Sequence, residues 1–335
     1  MIQLSIIIVN YKSARLILDC LETVYRETMN IAFEMIIVDN DSRDDSKDII
    51  LSRFPKVRWV SMSYNAGFAR ANNEGIRQSS GAVILLLNPD TLIENNGIEK
   101  CYEYFVQSSY AACGVQLLNP DRTPQISGNY FVKGGLNYLL PLPYLGRCIR
   151  WLGRNLNTAI PHLANSDSVI EVDWINGAFL MAKQTSIEKA GLMDEDFFLY
   201  AEEAEWCSRL KKSGRLCIVG FVKIIHLQGE TANKIFESSG KGYYNLYNKK
   251  GLQIMLSNLV RIRKQFGTGW FLFHLFVDLA EIPIFFVGII LSTLFKGKRS
   301  AYSFSQFSGY TKNIFSIVRL SPAIIRNKPH FYKVL

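Results

Sequence analysis

The stretch LLLNPDT, Leu85–Thr91, runs three leucines straight into Asn88, Pro89 and Asp90. With the residues before it, AVILLLN reads as a strand buried on both faces, because an apolar run without alternation marks that setting. Pro89-Asp90 is a turn signal, and Thr91 with Glu94 fits a capping box for the next helix. On that structural reading Asp90 only shapes the turn. On the functional reading it is a carboxylate that holds Mg²⁺ or Mn²⁺ beneath a substrate diphosphate, since such cations take one or two protein acids and leave other positions to phosphate. The two are compatible, because a turn can aim the acid.

The same grammar extends in both directions. LSIIIVNY (Leu4–Tyr11) is a buried strand, and the next segment spaces Ile17, Cys20, Leu21 and Val24 as one helix face. FEMIIVDNDS, the short VRWV and the loop-to-helix stretch NAGFARANNEGIRQS follow. WINGAFLMAK reads as a strand, DEDFFLYAEEAEWCSRLKKSG as a turn and helix closed by Gly214, and RLCIVGFVKIIHLQGE as further strand to His226. Strands alternating with helices predict an α/β fold with a mostly parallel sheet covered on both faces. Ligands of such sheets sit outside the carboxyl ends of the strands. Asn10, Asp39–Ser42, Asn65 and Asn88–Asp90 all fall there. Between residues 120 and 172 Pro and Gly recur and the periodicity loosens, and no internal repeat is found.

The chain has 335 residues, 48% hydrophobic and 20% charged, which is globular rather than disordered. Its six cysteines form no CxxC or metal-ligand spacing and read as reduced thiols of a cytosolic protein. The apolar N-terminus lacks a basic flank and cleavage site, so it reads as a first strand rather than a signal peptide. Net charge is +9, unevenly spread: Tyr243–Leu335 holds thirteen Lys and Arg against Asp278 and Glu281, a net +11, and the remainder sums to −2. This predicts two parts, residues 1–240 and a basic, amphipathic helical region 241–335 that meets an anionic partner. Phe271–Phe295 is long enough to suggest a membrane span, but His274, Asp278 and Glu281 interrupt it. Its uncharged part, Ile282–Phe295, falls short of the roughly 20 residues a span needs. The tail therefore reads as membrane-associating, or as a helical cap or homo-oligomer contact.

Several residues carry both a structural and a chemical reading. Asp39 ends the second strand, either as an Asx-turn or as an acid bonding a nucleotide's base or ribose. Gly67 precedes a helix but matches neither GxGxxG nor the P-loop. On the acidic helix Glu203, Trp206, Cys207 and Leu210 share one face. That predicts a Glu203 carboxyl partly desolvated beside Trp206 and suited to act as a base, while Glu202 faces away. The structural alternative pairs Glu203 with Arg209 or Lys211. His226 is a structural histidine unless the fold brings it to Asp90, where imidazole would complete a metal site.

Taken together, SIIIVNYKS, VDNDSRDDS, NAGFARANNEGI, LLNPDT, NGAFLMAK, GLMDEDFFLYAEEAEWCSRLKKSG and KIIHLQGE resemble, in that order, the family 2 inverting glycosyltransferases of GT-A fold. The likeness covers roughly Leu4–Thr231, and the nearest branch is that of bacterial rhamnosyltransferases of O-antigen and surface-polysaccharide synthesis. The resemblance implies that Asp39 contacts the donor base or ribose, with Asn10, Asn65, Gly67 and Asn88 on the donor side. Asp90 would be the metal-binding acid and His226 its companion, with Mg²⁺ or Mn²⁺ as the cation. Glu203 would be the general base, Glu202 remaining its rival. Asn88 stands where the family motif has its first acid, and Glu203 where Asp is usual. The implied donor is dTDP-rhamnose first and UDP-galactose or UDP-N-acetylglucosamine second. The implied acceptor is a glycan on undecaprenyl diphosphate, met at the cytoplasmic face of the inner membrane.

Competing classes are weaker. A dinucleotide enzyme would need GxGxxG after the first strand. A nucleic-acid binder would not interleave its positive charge with long aliphatic runs. A non-catalytic nucleotide-sugar-binding paralogue is kept open by Asn88 and Glu203.

Overall fold

The structure is a computed structural model that describes residues 2–155, 163, 165, 167–227, 245–296 and 302–334. In chain order the elements are β1 (Leu4–Asn10), α1 (Ala14–Glu27), β2 (Phe33–Asp39), α2 (Ser46–Arg53), β3 (Arg58–Ser61), α3 (Gly67–Arg77), β4 (Val83–Leu87), β5 (Thr91–Leu92), α4 (Gly97–Gln107), β6 (Ala112–Leu118) and β7 (Gly128–Asn129). A 3₁₀ segment (Lys133–Leu139), α5 (Leu145–Asn155), β8 (Val169–Val172), β9 (Trp174–Ile175), β10 (Phe179–Lys183), α6 (Gln184–Ala190), α7 (Glu202–Leu210) and β11 (Leu216–His226) come next. The chain continues with α8 (Lys249–Phe266), α9 (Thr268–Lys296) and α10 (Phe304–Arg326).

Two compact units emerge: Met1–Tyr130 with His162–Phe198 and Glu202–Thr231, and Phe131–Pro161 with Leu199–Ala201 and Ala232–Leu335. The boundary expected at 240 lies outside the described residues.

The first unit is an α/β sheet of order β3-β2-β1-β4-β10-β6-β11-β5, with β8 also paired to β11. β1, β2, β3 and β4 are parallel neighbours, as are β6 and β11. β10 runs antiparallel between β4 and β6, so the sheet is mixed at its centre. The four residues spaced as one face of α1 are the four it buries. Every residue of β4 is buried, as its unbroken apolar run requires.

The capping box expected at Thr91 and Glu94 does not form. Thr91 pairs with His226 in the β5–β11 ladder, α4 starts only at Gly97, and Glu94 takes Arg122 at 2.7 Å. The tertiary ladder overrides the local capping signal. Thr91 Oγ1 instead donates to the Asn88 carbonyl at 2.8 Å, which closes the turn around Pro89.

In the second unit α9 inverts the usual helix pattern. The residues that interrupt its apolar run, His274, Asp278 and Glu281, lie on one face and are buried. His274 Nε2 meets the Gly134 carbonyl at 2.8 Å. The Glu281 carboxylate accepts the backbone N–H groups of Tyr144 and Leu145 at 2.8 and 2.9 Å, which caps the first turn of α5. Burial, with the charge of Glu281 added, pushes the Asp278 carboxyl up to about 8 from its ordinary 3.8. The folded chain therefore holds a proton there that the unfolded chain releases, so stability falls as pH climbs from near 4 toward 8. Asp278→Asn removes the liability. Its Tm gain over wild type should grow across that window to a few degrees and then level off. A gain independent of pH would show that Asp278 is not its source.

Candidate active site

Three polar groupings form at the carboxyl ends of the strands. In the first, register places Asn10 opposite Asp39, and Asn10 Nδ2 donates to Asp39 Oδ1 at 2.7 Å and to Ser42 Oγ at 3.1 Å. Ser42 N–H returns to Asp39 Oδ2 at 3.3 Å. The Asx-turn and the aimed carboxylate are thus one arrangement: the turn fixes the acid, which stays partly exposed.

In the second, Asn40 is the hub. Its Oδ1 accepts Ala66 N–H at 2.8 Å, and its Nδ2 donates to Asn65 Oδ1 and to the Gly67 carbonyl at 3.1 and 3.3 Å. Gly67 has φ +77°, and a Cβ there would drive into the carbonyl of Phe198. Close backbone packing requires a glycine here.

The third joins Asn88, Asp90 and His226. Pairing of β5 with β11 brings the turn after β4 against the end of β11, and Leu227 N–H donates to the Asp90 carbonyl at 2.9 Å. His226 Nε2 then lies 3.3 Å from Asp90 Oδ1 and 3.5 Å from Asn88 Nδ2. Gln125 sets the tautomer. Its Nε2 donates to the His226 carbonyl at 2.7 Å, which leaves Oε1 to accept from His226 Nδ1 at 2.9 Å. In the neutral ring Nε2 therefore carries the lone pair, and it faces a buried carboxylate oxygen. Two acceptors side by side are reconciled by a cation or a proton between them. Among the described residues no group of three or more His, Cys, Asp or Glu gathers for a metal. One carboxylate and one imidazole still fit a divalent ion that completes its shell with phosphate and water.

Glu203 neighbours the segment that meets the third grouping. A Cβ built on Gly177 would come within 3.6 Å of Glu203 Cβ, and Ala178, next in sequence, accepts the Asn88 N–H at 3.0 Å. Glu202, expected to face away, is the more deeply buried of the two. Glu202 is 4% exposed and its Oε2 has no hydrogen-bond partner, whereas Glu203 is partly exposed. Burial and the neighbouring Glu203 charge hold the Glu202 carboxyl well above its usual range. Arg209 pairs with Glu205 at 2.7 Å and Lys211 with Asp173. Tyr200 and Ala201, just before the helix, have φ of +72° and +65°. Two consecutive non-glycine residues in that region store strain, a feature that concentrates at functional sites.

Residues 5–169 match the model of glycosyl transferase family 2. That match makes residues 5–169 a family 2 glycosyltransferase domain. Over 251 residues the chain is 28% identical to the low-salt glycan biosynthesis hexosyltransferase Agl10 of Haloferax volcanii, covering 73% of this chain and 74% of that one. It is 25% identical over 224 residues to the dTDP-rhamnosyl transferase RfbF of Shigella flexneri, with coverages of 64% and 68%. The fold is the GT-A fold of solved glycosyltransferases. The mannosyltransferase PcManGT of Pyrobaculum calidifontis, in complex with GDP-Man and Mn²⁺, aligns over 97% of this chain and 88% of its own, at TM-score 0.52 and 12% identity.

Sequence reasoning about the family 2 domain missed Gln125 and the hub role of Asn40. Gln125 sits in the loosened Pro- and Gly-rich stretch and meets His226 across 101 residues, so no local period marks it. Gln125→Ala should free the imidazole and lower Mn²⁺ affinity by about 10–100-fold, the usual cost of losing an orienting partner. Calorimetric titration of the folded variant measures it, and an unchanged affinity would remove Gln125 from the site.

Proposed function

We propose that this chain is an inverting glycosyltransferase that moves a sugar, rhamnose first, from a nucleotide-diphosphate donor to a glycan on a polyprenyl-diphosphate lipid such as undecaprenyl diphosphate. The observation that carries the reading is the facing pair of acceptors, Asp90 Oδ1 and His226 Nε2, 3.3 Å apart at the end of the sheet. Mg²⁺ or Mn²⁺ held by Asp90 and His226 would supply charge stabilisation toward the leaving diphosphate. Asp39, fixed by Asn10 and Ser42, takes the donor's base or ribose, and Asn65, Gly67 and Asn88 complete the donor side. Glu203 accepts the proton of the acceptor hydroxyl as that oxygen attacks the anomeric carbon from the face opposite the diphosphate, so configuration inverts. Burial holds the Glu202 carboxyl well above its usual range, which disfavours a second charge beside the base.

Relatives named as rhamnosyltransferases support dTDP-rhamnose as the first donor, and UDP-galactose or UDP-N-acetylglucosamine follow as alternatives. The enzyme would work in the cytoplasm, peripherally on the cytoplasmic face of the inner membrane, where such an acceptor is displayed. Thermal shift with Mn²⁺ across dTDP- and UDP-sugars tests the reading. A matched donor at about 100 times its Kd stabilises by ~2.7 kcal/mol, and the anomer of the product tests inversion. Absence of any nucleotide-dependent shift would sink the proposal.

A further inference from the structure

The outer face of α9 is apolar and open. Leu272, Phe276, Leu279, Val287, Leu291 and Leu294 lie on it, Phe276 being 70% and Leu294 71% exposed. None of the exposed positions between Leu272 and Leu294 is charged. This run extends about 33 Å at 1.5 Å per residue. His274, Asp278 and Glu281 are on the opposite face, buried, and His274 and Glu281 are bonded to protein there. A surface helix of a water-soluble protein is arranged the other way round.

Beside it, α10 exposes Phe304, Lys312, Phe315, Arg319 and Arg326 on a single face at helical spacing. The two faces join at Phe286 and Phe304, both exposed, with ring centroids 6.2 Å apart. From residue 245 to 334 the only acids are Asp278 and Glu281, and both are buried, so this surface carries cations without anions.

We infer that the α9–α10 face docks this chain on a bilayer containing anionic phospholipid. The outer face of α9 lies in the plane of the membrane against acyl chains, and the Lys312–Arg319 stripe lies on headgroup phosphates. A membrane span would strip His274 and Glu281 of their protein partners. A second copy of the chain would bring the same cation-only surface against itself. The inference deepens the membrane location proposed above and rests on it for its biological setting, but it is tested separately.

Flotation of the full chain with vesicles of phosphatidylcholine, alone or mixed with phosphatidylglycerol, tests it. The protein should float with the mixed vesicles, be released by alkaline carbonate, and lose about tenfold or more of its partitioning in Phe276→Asp/Leu291→Asp and in Lys312→Glu/Arg319→Glu. Wild-type protein that stays unbound, or variants that float as well as wild type, would overturn the inference. Resistance to carbonate would replace in-plane seating with a span, and a lipid-free dimer split by Phe276→Asp would assign the face to a second copy. Soluble-donor hydrolysis by the same variants keeps the two proposals apart. Hydrolysis retained with flotation lost confirms the surface, whereas flotation without any nucleotide response condemns the transferase reading alone.

Discussion

Glu203→Gln should lose about 10²–10⁴-fold in turnover, the range a positioned general base supplies, while donor affinity stays near wild type. The substitution keeps the shape of the side chain next to Gly177 and removes only its ability to take a proton. Its control is Glu202→Gln. Glu202 is buried, one of its oxygens has no partner, and burial with the neighbouring Glu203 charge holds its carboxyl well above the usual range. A glutamine there keeps the side chain's shape and removes a buried acid whose charged form burial disfavours, so turnover should change little. Thermal stability should hold or rise toward high pH, because the acid no longer has to release its proton on unfolding. Rate and donor binding measured on both variants decide the assignment. A dead Glu202→Gln beside an active Glu203→Gln would exchange their roles.

How much of this was legible depends on the range of the interactions. The buried faces of α1 and β4, and the polar ends of the strands, follow from periodicity within ten or fifteen residues. The antiparallel insertion of β10 does not, because WINGAFLMAK carries the same apolar signal whichever way it runs. Helix phase correctly put Trp206, Cys207 and Leu210 in the core, yet misjudged the two glutamates. The left-handed residues Tyr200 and Ala201 reset the chain just before α7, and Glu202 at its first position turns into the protein. The charges within α9 look like interruptions in one dimension. In three they share a face, and Gly134, Tyr144 and Leu145, supplied by a segment more than a hundred residues earlier, satisfy two of them.

Asp90→Asn is expected to have the largest effect at the donor end. The substitution preserves the turn, because the turn does not depend on the Asp90 carboxylate: the Asp90 carbonyl accepts Leu227 N–H, Thr91 Oγ1 donates to the Asn88 carbonyl, and Thr91 stays paired with His226. What disappears is one negative charge facing the lone pair of His226 Nε2. An amide is a poor ligand beside a single imidazole, so Mn²⁺ affinity and the Mn²⁺-dependent nucleotide shift should vanish together. Turnover should fall by about 10³-fold, since charge stabilisation of a leaving group is worth several kcal/mol. Gln125→Ala should weaken the same site by the smaller factor given above, because it disturbs a ligand's orientation rather than deleting a ligand. In the double variant the Gln125 effect should disappear, as there is no bound cation left for His226 to serve. Full additivity would mean that Gln125 stabilises the fold and not the site. An Asp90→Asn protein that still binds Mn²⁺ and turns over normally would return this acid to the role its local sequence first suggested, the corner of a turn.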